Sequence, residues 1–203
     1  MKNKDDVKDK ILRESMKLFL SKGFYGASTN ELVRLAGVSK GALYWHFKDK
    51  EDILSHILAK YNQEFLARTI KEVEECPGGF TDKFKKYYKF TTEFARDNRN
   101  LLLVFMSLLV EFAGTGSELE KRMKELNHEY IKLIKRIIED GVKEGAVKRG
   151  IDPYNYSRLI ASTMIGSHLQ WYLHFTSDGA EDLEATRRRA IIQRNELLNM
   201  LSA

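Results

Sequence analysis

The sequence contains one cysteine, Cys76, and two prolines, Pro77 and Pro153, among its 203 residues. A single cysteine excludes an internal disulfide and is typical of proteins in a reducing cytoplasm. Because proline interrupts helices, the long proline-free stretches rich in Leu, Lys, Glu, Arg and Ile favour helices throughout. No stretch alternates Val, Ile or Thr with polar residues as a half-buried strand does. We therefore expect an all-α, cytoplasmic protein.

Long apolar runs are also missing. The most apolar stretch, LLLVFMSLLV at residues 101–110, has about half of the roughly 20 residues that a membrane-spanning helix needs. The N-terminal stretch MKNKDDVKDK carries too many charges for a signal peptide. We expect neither a membrane span nor a signal peptide.

The net charge of +5 is unevenly distributed along the chain. Residues 1–60 hold 12 Lys and Arg against 8 Asp and Glu, whereas the rest of the chain holds 22 against 21. A basic surplus in a small N-terminal part is the electrostatic pattern of a surface that meets an anionic partner. An ordinary solvated surface with a chance surplus has the same composition, so charge alone leaves both interpretations open.

The N-terminal part has the pattern of three short helices. Apolar residues at helical spacing predict a first helix over residues 6–21. Ser28 and Glu31 have the spacing of a capping box and predict the start of a second helix. Ser39 is placed as the N-cap of a third helix, directly after a tight turn at Gly37. This order of elements is a helix-turn-helix.

The third helix carries bulky side chains on every face. Leu43 and Phe47, four residues apart, can pack on the first two helices. A recognition helix enters the DNA major groove by its N-terminal turn. We therefore expect DNA contacts from three places: the start of the second helix, the outward positions of the third helix, and a lysine just after the third helix. The candidate residues are Ser28, Thr29, Lys40, Gly41, Ala42, Tyr44, Trp45, His46 and Lys50.

Each candidate has a physical role in such an interface. Lys40 can reach base edges or phosphate, and the small residues that follow it leave room for close approach. Tyr44 and His46 can donate hydrogen bonds to phosphate oxygens, while Trp45 can pack on the sugar-phosphate wall. The alternative is that these aromatic side chains belong to a protein core or interface.

The stretch LFLSKGFYGASTNELVRLAGVSKGALYWHFKDKEDIL at residues 18–54 resembles the DNA-binding signature of the TetR family of bacterial ligand-responsive repressors. The resemblance covers a little under a fifth of the chain. It departs at Val33, where helix-turn-helix sequences usually carry alanine on the inner side of the second helix. The resemblance implies DNA-contacting positions at Thr29, Lys40, Gly41, Ala42, Tyr44, His46 and Lys50. It further implies a C-terminal part with six or so helices, a ligand cavity and a dimer interface on the last two helices.

We therefore divide the chain into a helix-turn-helix DNA-binding domain, residues 1–50, and a C-terminal ligand-sensing and dimerisation domain, residues 51–203. In the second part, helical periodicity predicts one long helix over residues 51–75 and further helices over residues 81–97, 100–113, 117–144, 153–176 and 180–201. Pro-Gly-Gly at residues 77–79 and Gly-Thr-Gly at residues 114–116 mark breaks between helices.

The C-terminal helices carry many aromatic and methionine side chains. Pockets for small molecules are lined by apolar side chains with a few polar anchors, and the family resemblance favours such a pocket here. The candidate ligand-binding residues are Phe65, Phe90, Phe94, Phe105, Met106, Tyr130, Met164, His168 and Trp171. Aromatic residues at helical spacing more often form a plain core, which is the alternative for each of them. A largely apolar effector is expected, either a drug-like aromatic compound or a long-chain acyl group.

The last two helices have the pattern of a dimerisation surface. The first brings together Ala161, Ser162, Ile165, Gly166 and Leu169, and the second carries Ile191, Arg194, Leu197, Leu198 and Leu201. In a two-fold dimer these helices would form a four-helix bundle with their copies. The alternative is that the final helix covers the core of its own subunit.

The expected function is a homodimeric transcriptional regulator, by default a repressor, that binds a pseudo-palindromic DNA operator. An effector in the C-terminal domain would change the separation of the two recognition helices and release the DNA. A regulator controlled by a protein partner instead of a ligand is the alternative. No enzyme is expected, because the sequence has one Glu-x-x-His, at Glu125 and His128, where a di-iron bundle needs two. We expect no catalytic residues, metal or cofactor.

Overall fold

The computed structural model describes residues 4–173 and 183–203, and these residues are almost entirely helical. In chain order the helices are α1 (Lys4–Gly26), α2 (Thr29–Ala36), α3 (Lys40–His46), α4 (Lys50–Tyr61), a π-helical turn (Asn62–Leu66), α5 (Ala67–Glu74), α6 (Phe80–Asp97), α7 (Arg99–Glu111), α8 (Glu118–Lys143), α9 (Pro153–Leu173) and α10 (Leu183–Leu201).

The all-α prediction is confirmed. Among the described residues, the pairing of Val147 with Ser202 is an isolated bridge outside any strand. The prediction of one regular helix over residues 51–75 is wrong in its middle, because the π turn separates α4 from α5. The predicted end of α9 at residue 176 and the predicted start of the last helix at residue 180 lie outside the described residues. Within the described ranges, no helix combines the length and apolar character needed to cross a membrane.

The chain forms two compact units. Unit 1 contains the residues up to Phe65 together with Asn98–Leu126, and unit 2 contains Leu66–Asp97 together with Asn127–Ala203. The expected division at residue 50 separates a DNA-binding part from a sensing part by function, and it stays a prediction.

In unit 1, α1 packs against α2, α4 and α7. Helical spacing predicts that one face of α1 is buried. On this face Ile11, Leu12, Ser15, Leu18 and Phe19 are buried in the structure. Gly23 has a φ of 72° and interrupts α1 shortly before its end, in a backbone conformation that glycine adopts readily. The buried side chains of α1 therefore form the core next to which α2 and α3 are placed.

In unit 2, α6 packs against α5 and α10. The C-terminal end of α10 is held to the same unit, because the Lys148 N–H donates to the carbonyl of Leu201 at 2.9 Å. Leu197, Leu198 and Leu201 are buried there. Their assignment to a dimer surface is therefore wrong, since they cover the core of their own chain.

The N-caps predicted for α2 and α3 are present. Ser28 Oγ accepts from the Glu31 N–H at 3.2 Å, and Ser39 Oγ accepts from the Ala42 N–H at 3.1 Å. The Glu31 carboxylate does not complete the expected capping box, because it pairs with Lys22 Nζ at 2.7 and 2.9 Å. Gly37 ends α2 in the left-handed conformation, with a φ of 57°, which glycine adopts at little cost.

The loop between α7 and α8 is organised around the buried carboxylate of Glu120. This carboxylate accepts from the Gly114 N–H at 2.9 Å and from the Gly116 N–H at 2.6 Å, and it pairs with Lys124 Nζ at 2.6 Å. The hydrogen bond from Lys124, followed by those from the two glycine amides, lowers the pKa of Glu120 from 4.5 to about 2. One carboxylate thus satisfies loop amides and fixes where α7 ends and α8 begins.

We expect Glu120→Gln to lower the melting temperature at pH 7, because it removes the charge that these donors stabilise. Since the pKa of Glu120 is depressed, its contribution to stability is complete above pH 4.5 and is lost as the pH falls towards about 2. The difference in melting temperature between wild type and variant should therefore shrink over that range. Thermal denaturation at several pH values measures it, with the exposed Glu118→Gln as control. A difference independent of pH would contradict this assignment.

Candidate nucleic-acid interface

Helix α3 is anchored by two side chains and exposes the others. Leu43 and Phe47 are each 1% exposed, whereas Tyr44 is 52% and Trp45 is 61% exposed. Lys40 and Gly41 are exposed as well, and Ala42 and His46 are half-buried. The predicted division of this helix into an inner and an outer face is therefore present in the folded chain.

Two polar side chains on the outer face of α3, Lys40 and Tyr44, are available to an external partner. Within the described ranges, no hydrogen bond or ion pair engages the ammonium of Lys40 or the hydroxyl of Tyr44. The rings of Trp45 and His46 contact each other edge-on, with centroids 4.5 Å apart. Long polar side chains beside exposed aromatic rings are typical of surfaces that meet the DNA backbone.

The glycine in the first turn of α3 is not required by the fold. A Cβ atom added to Gly41 would meet only Ser39 Oγ, at the ordinary distance of 3.8 Å. The position could therefore hold a larger residue without strain inside the chain. Its small size keeps the outer surface low at the end of the helix by which a recognition helix approaches base edges.

The start of α2 lies on the same small domain and offers further donors. Ser28 is exposed and Thr29 is half-buried. Since Ser28 Oγ accepts a hydrogen bond from Glu31, its own hydroxyl proton remains available to an external acceptor. The first amides of a helix also lack partners within the helix, which makes the start of α2 suitable for a phosphate.

Lys50 has a structural role that the sequence does not reveal. Its ammonium donates to the carbonyl of Phe24 at 2.7 Å and to the carbonyl of Ala27 at 3.0 Å. It also lies 4.4 Å from the centre of the Phe24 ring. These contacts tie α4 to the end of α1. A direct contact between Lys50 and DNA stays a prediction.

The connection between α3 and α4 is short and stiff. Asp49 accepts from the Asp52 N–H at 2.7 Å, and Asp52 in turn accepts from the Lys48 N–H at 2.9 Å. This reciprocal pair satisfies amides on both sides of the junction in the manner of a capping box. A movement of the start of α4 must therefore carry the end of α3 with it.

The candidate ligand-binding residues fall into both units. Phe65, Phe105 and Met106 belong to unit 1, whereas Phe90, Phe94, Tyr130, Met164, His168 and Trp171 belong to unit 2. Met106, Phe90 and Trp171 are half-buried and the others are buried. Burial is equally what core packing produces, so the ligand-binding role of each stays a prediction.

His168 differs from the other candidates because its polar atom is unsatisfied. Its Nε2 atom is buried and has no hydrogen-bond partner in the described part of the chain. Burial lowers the pKa of His168 from 6.5 to about 4, so the imidazole is neutral at pH 7. By contrast, the buried hydroxyls of Tyr87 and Tyr130 bond to each other at 2.6 Å.

Sequence reasoning missed Glu111, the last residue of α7. Its carboxylate binds the backbone of residues 24 and 25, which lie 87 and 86 positions earlier in the chain. An acidic residue at the end of an apolar helix was the available signal, but nothing local in the sequence indicates a partner so far away.

The comparisons with known proteins agree with this geometry. A family model described as bacterial regulatory proteins, tetR family, matches residues 11–57, and a model described as tetracyclin repressor-like, C-terminal domain, matches residues 77–194. The chain belongs to the TetR family of bacterial regulatory proteins. Members of the TetR family are DNA-binding transcriptional regulators, and the curated relatives are named as regulators, not enzymes.

Two curated relatives illustrate the sequence similarity. The transcriptional regulator QacR of Staphylococcus aureus is 32% identical over 69% of this chain and 73% of its own length. The fatty acid metabolism regulator protein of Bacillus subtilis is 23% identical over 86% of this chain and 88% of its own length.

Solved structures share the TetR fold over nearly the whole chain. The MbdR regulator from Azoarcus sp. CIB has a TM-score of 0.83 at 19% identity and covers 97% of this chain and 100% of that one. FadR from Bacillus subtilis in complex with stearoyl-CoA has a TM-score of 0.70 at 22% identity and covers 96% of this chain and 97% of that one.

We expect Tyr44→Phe to weaken DNA binding roughly tenfold or more, because a hydrogen bond to a charged oxygen contributes about 1.5–3 kcal/mol. The melting temperature should stay unchanged, since the hydroxyl has no partner within the described chain. Tyr154→Phe on α9, where the side chain is 46% exposed, is the matched control. Fluorescence anisotropy with a duplex selected from random DNA measures the affinity. Equal affinities of the two variants would remove Tyr44 from the interface.

Proposed function

We propose that this TetR-family regulator is a cytoplasmic homodimeric repressor that binds a pseudo-palindromic operator and is released by a largely apolar, uncharged effector. The main support for DNA binding is the exposure of the outer face of α3. This face exposes Lys40, Tyr44 and Trp45 while Leu43 and Phe47 hold the helix from below. The start of α2, the neighbouring helix in contact with α3, adds hydroxyl and amide donors.

An exposed apolar seam on α9 supports dimerisation. Leu159, Ser162, Gly166, Leu169 and Leu173 are all exposed and follow one another at intervals of three and four residues. This is the spacing of a helix that packs along a partner helix. Ala161, which we had assigned to this surface, is only 3% exposed and points to the opposite, buried side.

Helix α10 adds apolar surface at its N-terminal half. Ile191 is 41% and Ile192 is 55% exposed. Large apolar side chains clustered on the surface of a small protein mark a protein interface. We propose that the seam on α9 and these two residues meet their copies in a second subunit, as the family's dimeric assembly suggests. Two recognition helices then bind half-sites about 34–36 Å apart or a multiple of that distance.

His168 supports an uncharged effector with one polar group. A buried nitrogen without a partner is costly, and a ligand hydroxyl or carbonyl would satisfy it. Among the described residues of unit 2, no Asp, Glu, Lys or Arg side chain is buried; Thr69, Thr91, Ser157 and His168 are buried and uncharged, as are the tyrosines. Such surroundings offer no counter-ion to a charged ligand. The fatty acid metabolism regulator and the FadR structure with stearoyl-CoA lend support to the long acyl chain alone, because the CoA part of that ligand carries charged phosphates.

The experiment that tests the proposed function combines footprinting with an interface variant. Wild-type protein should protect a symmetric site with two half-sites. Its affinity should fall with salt at a log–log slope of about −0.9 for each phosphate contacted. Leu169→Glu should yield a folded monomer in analytical ultracentrifugation that no longer protects both half-sites, because it places a charge in the apolar seam.

The matched control is Val142→Glu, which adds the same charge at an apolar side chain of α8. Val142 is 39% exposed and Leu169 is 44% exposed, so both variants should fold. Val142→Glu should remain dimeric and bind like the wild type. A monomeric wild type, or an asymmetric footprint of half-site size, would reject the proposed dimeric regulator.

We expect His168→Leu to stabilise the ligand-free protein, because it removes a buried polar atom that has no partner. A gain of about 1 kcal/mol raises the melting temperature of a chain of this size by about 2–4 °C. The stabilisation of the wild type by 1-dodecanol should be weaker in the variant. Met164→Leu, one turn earlier on the same buried face, is the control. A lower melting temperature for His168→Leu would show that the imidazole serves the core.

A further inference from the structure

The corner between α1 and α2 has backbone amides that its own helices leave free. Gly23 has a φ of 72° and a ψ of 170°, which breaks the hydrogen-bond ladder of α1 just before Phe24 and Tyr25. Unpaired amides in a partly buried corner are unfavourable unless a side chain accepts from them. A partner is therefore required at this point of the fold.

The partner is the carboxylate of Glu111 on α7. Its Oε2 atom accepts from the Phe24 N–H at 2.9 Å, and its Oε1 atom accepts from the Tyr25 N–H at 3.0 Å. A Cβ atom added to Gly23 would lie 3.0 Å from Oε1, which is too close for an undisturbed contact. Glycine at this position thus permits both the turn and the approach of the carboxylate.

The same corner is also held by the ammonium of Lys50, which donates to the carbonyls of Phe24 and Ala27 at 2.7 and 3.0 Å. The amide and the carbonyl of Phe24 are therefore bound by opposite charges from two different helices. We call residues 23–27, together with the hydrogen bonds that Glu111 and Lys50 make to their backbone, the corner clamp. Charge-assisted hydrogen bonds are about twice as strong as neutral ones.

Aromatic packing fixes α7 against the corner clamp. Phe112, which follows Glu111, lies 5.2 Å from Phe24 and stacks on Tyr25 at 5.5 Å between ring centres. Phe24 and Phe112 are both 2% exposed. The end of α7 and the end of α1 therefore form one rigid contact within unit 1.

The corner clamp leads directly into Ser28 and Thr29, the proposed phosphate-binding start of α2. In the middle of α7, the ring of Phe105 stacks on Tyr61 with centroids 3.7 Å apart and planes 7° apart. Tyr61 is the last residue of α4 before the π turn, and π turns frequently occur at functional sites. Helix α7 thus joins a candidate ligand-binding residue to the start of the DNA-contacting surface.

We infer that Glu111 is a positioning residue for DNA binding, which holds the start of α2 in its DNA-binding geometry and transmits displacements of α7 to it. The inference rests on the proposed DNA-binding function of α2 and α3. Glu111 does not contact DNA in this mechanism, because its carboxylate is occupied by the two amides of the corner clamp.

The test is Glu111→Gln, which preserves the shape of the side chain. Both carboxylate oxygens are acceptors here, so an amide group must turn its NH₂ toward one of the two N–H groups. We expect the affinity for the selected duplex to fall about tenfold, as expected for the loss of one charge-assisted hydrogen bond. The slope of the salt dependence should stay unchanged, since no phosphate contact is lost.

Glu118→Gln is the matched control, because it removes the same charge from a side chain that is 87% exposed. Both variants make the protein more positive, which on its own strengthens attraction to DNA. A weaker binding of Glu111→Gln alone therefore cannot come from net charge. Equal affinities of the two variants, or a shallower salt slope in Glu111→Gln, would overturn the positioning role.

Amide hydrogen exchange tests the corner clamp without DNA. In the wild type the amides of Phe24 and Tyr25 should exchange at least about tenfold more slowly than in Glu111→Gln. If the variant does not fold, the wild-type rates decide: protected amides support the clamp, and exchange at the rate of an open loop overturns it. A wild type with protected amides that binds no duplex would reject the proposed function and leave the clamp in place.

Discussion

The burial of Leu43 and Phe47 is the contact on which the DNA-binding surface depends. A helix of seven residues is too short to be stable alone, so α3 exists because these two side chains enter the core that α1 forms with its neighbours. Once they are fixed, the pitch of the helix decides the direction of every other side chain. The exposure of Tyr44 and Trp45 is then a consequence of geometry and is independent of their own hydrophobicity.

Charged side chains on backbone groups define the helix ends in unit 1. Glu120 binds the amides of the loop before α8, Asp52 binds an amide before α4, and Lys50 binds carbonyls at the end of α1. Helix ends expose amides and carbonyls that need partners, and ionised groups satisfy them at short distance. The relative placement of short helices is thereby fixed by directional contacts, where apolar packing alone would allow them to slide.

The helices and the buried face of α3 could be predicted from the sequence because their signals are local. Caps at Ser28 and Ser39, the glycine at residue 37 and the spacing of apolar residues all act within a few positions. The role of Glu111 and the burial of Leu197 depend on segments far apart in the chain. Periodicity assigned Leu197 to an apolar stripe, but it cannot decide whether that stripe meets its own chain or a second one.

Helix α7 is attached at its middle and at its C-terminal end by contacts of different kinds, and this difference determines how it can transmit a displacement. The stack of Phe105 on Tyr61 is nearly parallel, and stacked rings tolerate lateral offset at little cost. The two hydrogen bonds of Glu111 are short and directional, so a shift of a fraction of an ångström leaves amides of the corner clamp unpaired. A displacement of α7 therefore meets little resistance at the stack of Phe105 on Tyr61. It reaches the corner before Ser28 as a change in backbone hydrogen bonding, at the point where α2 begins.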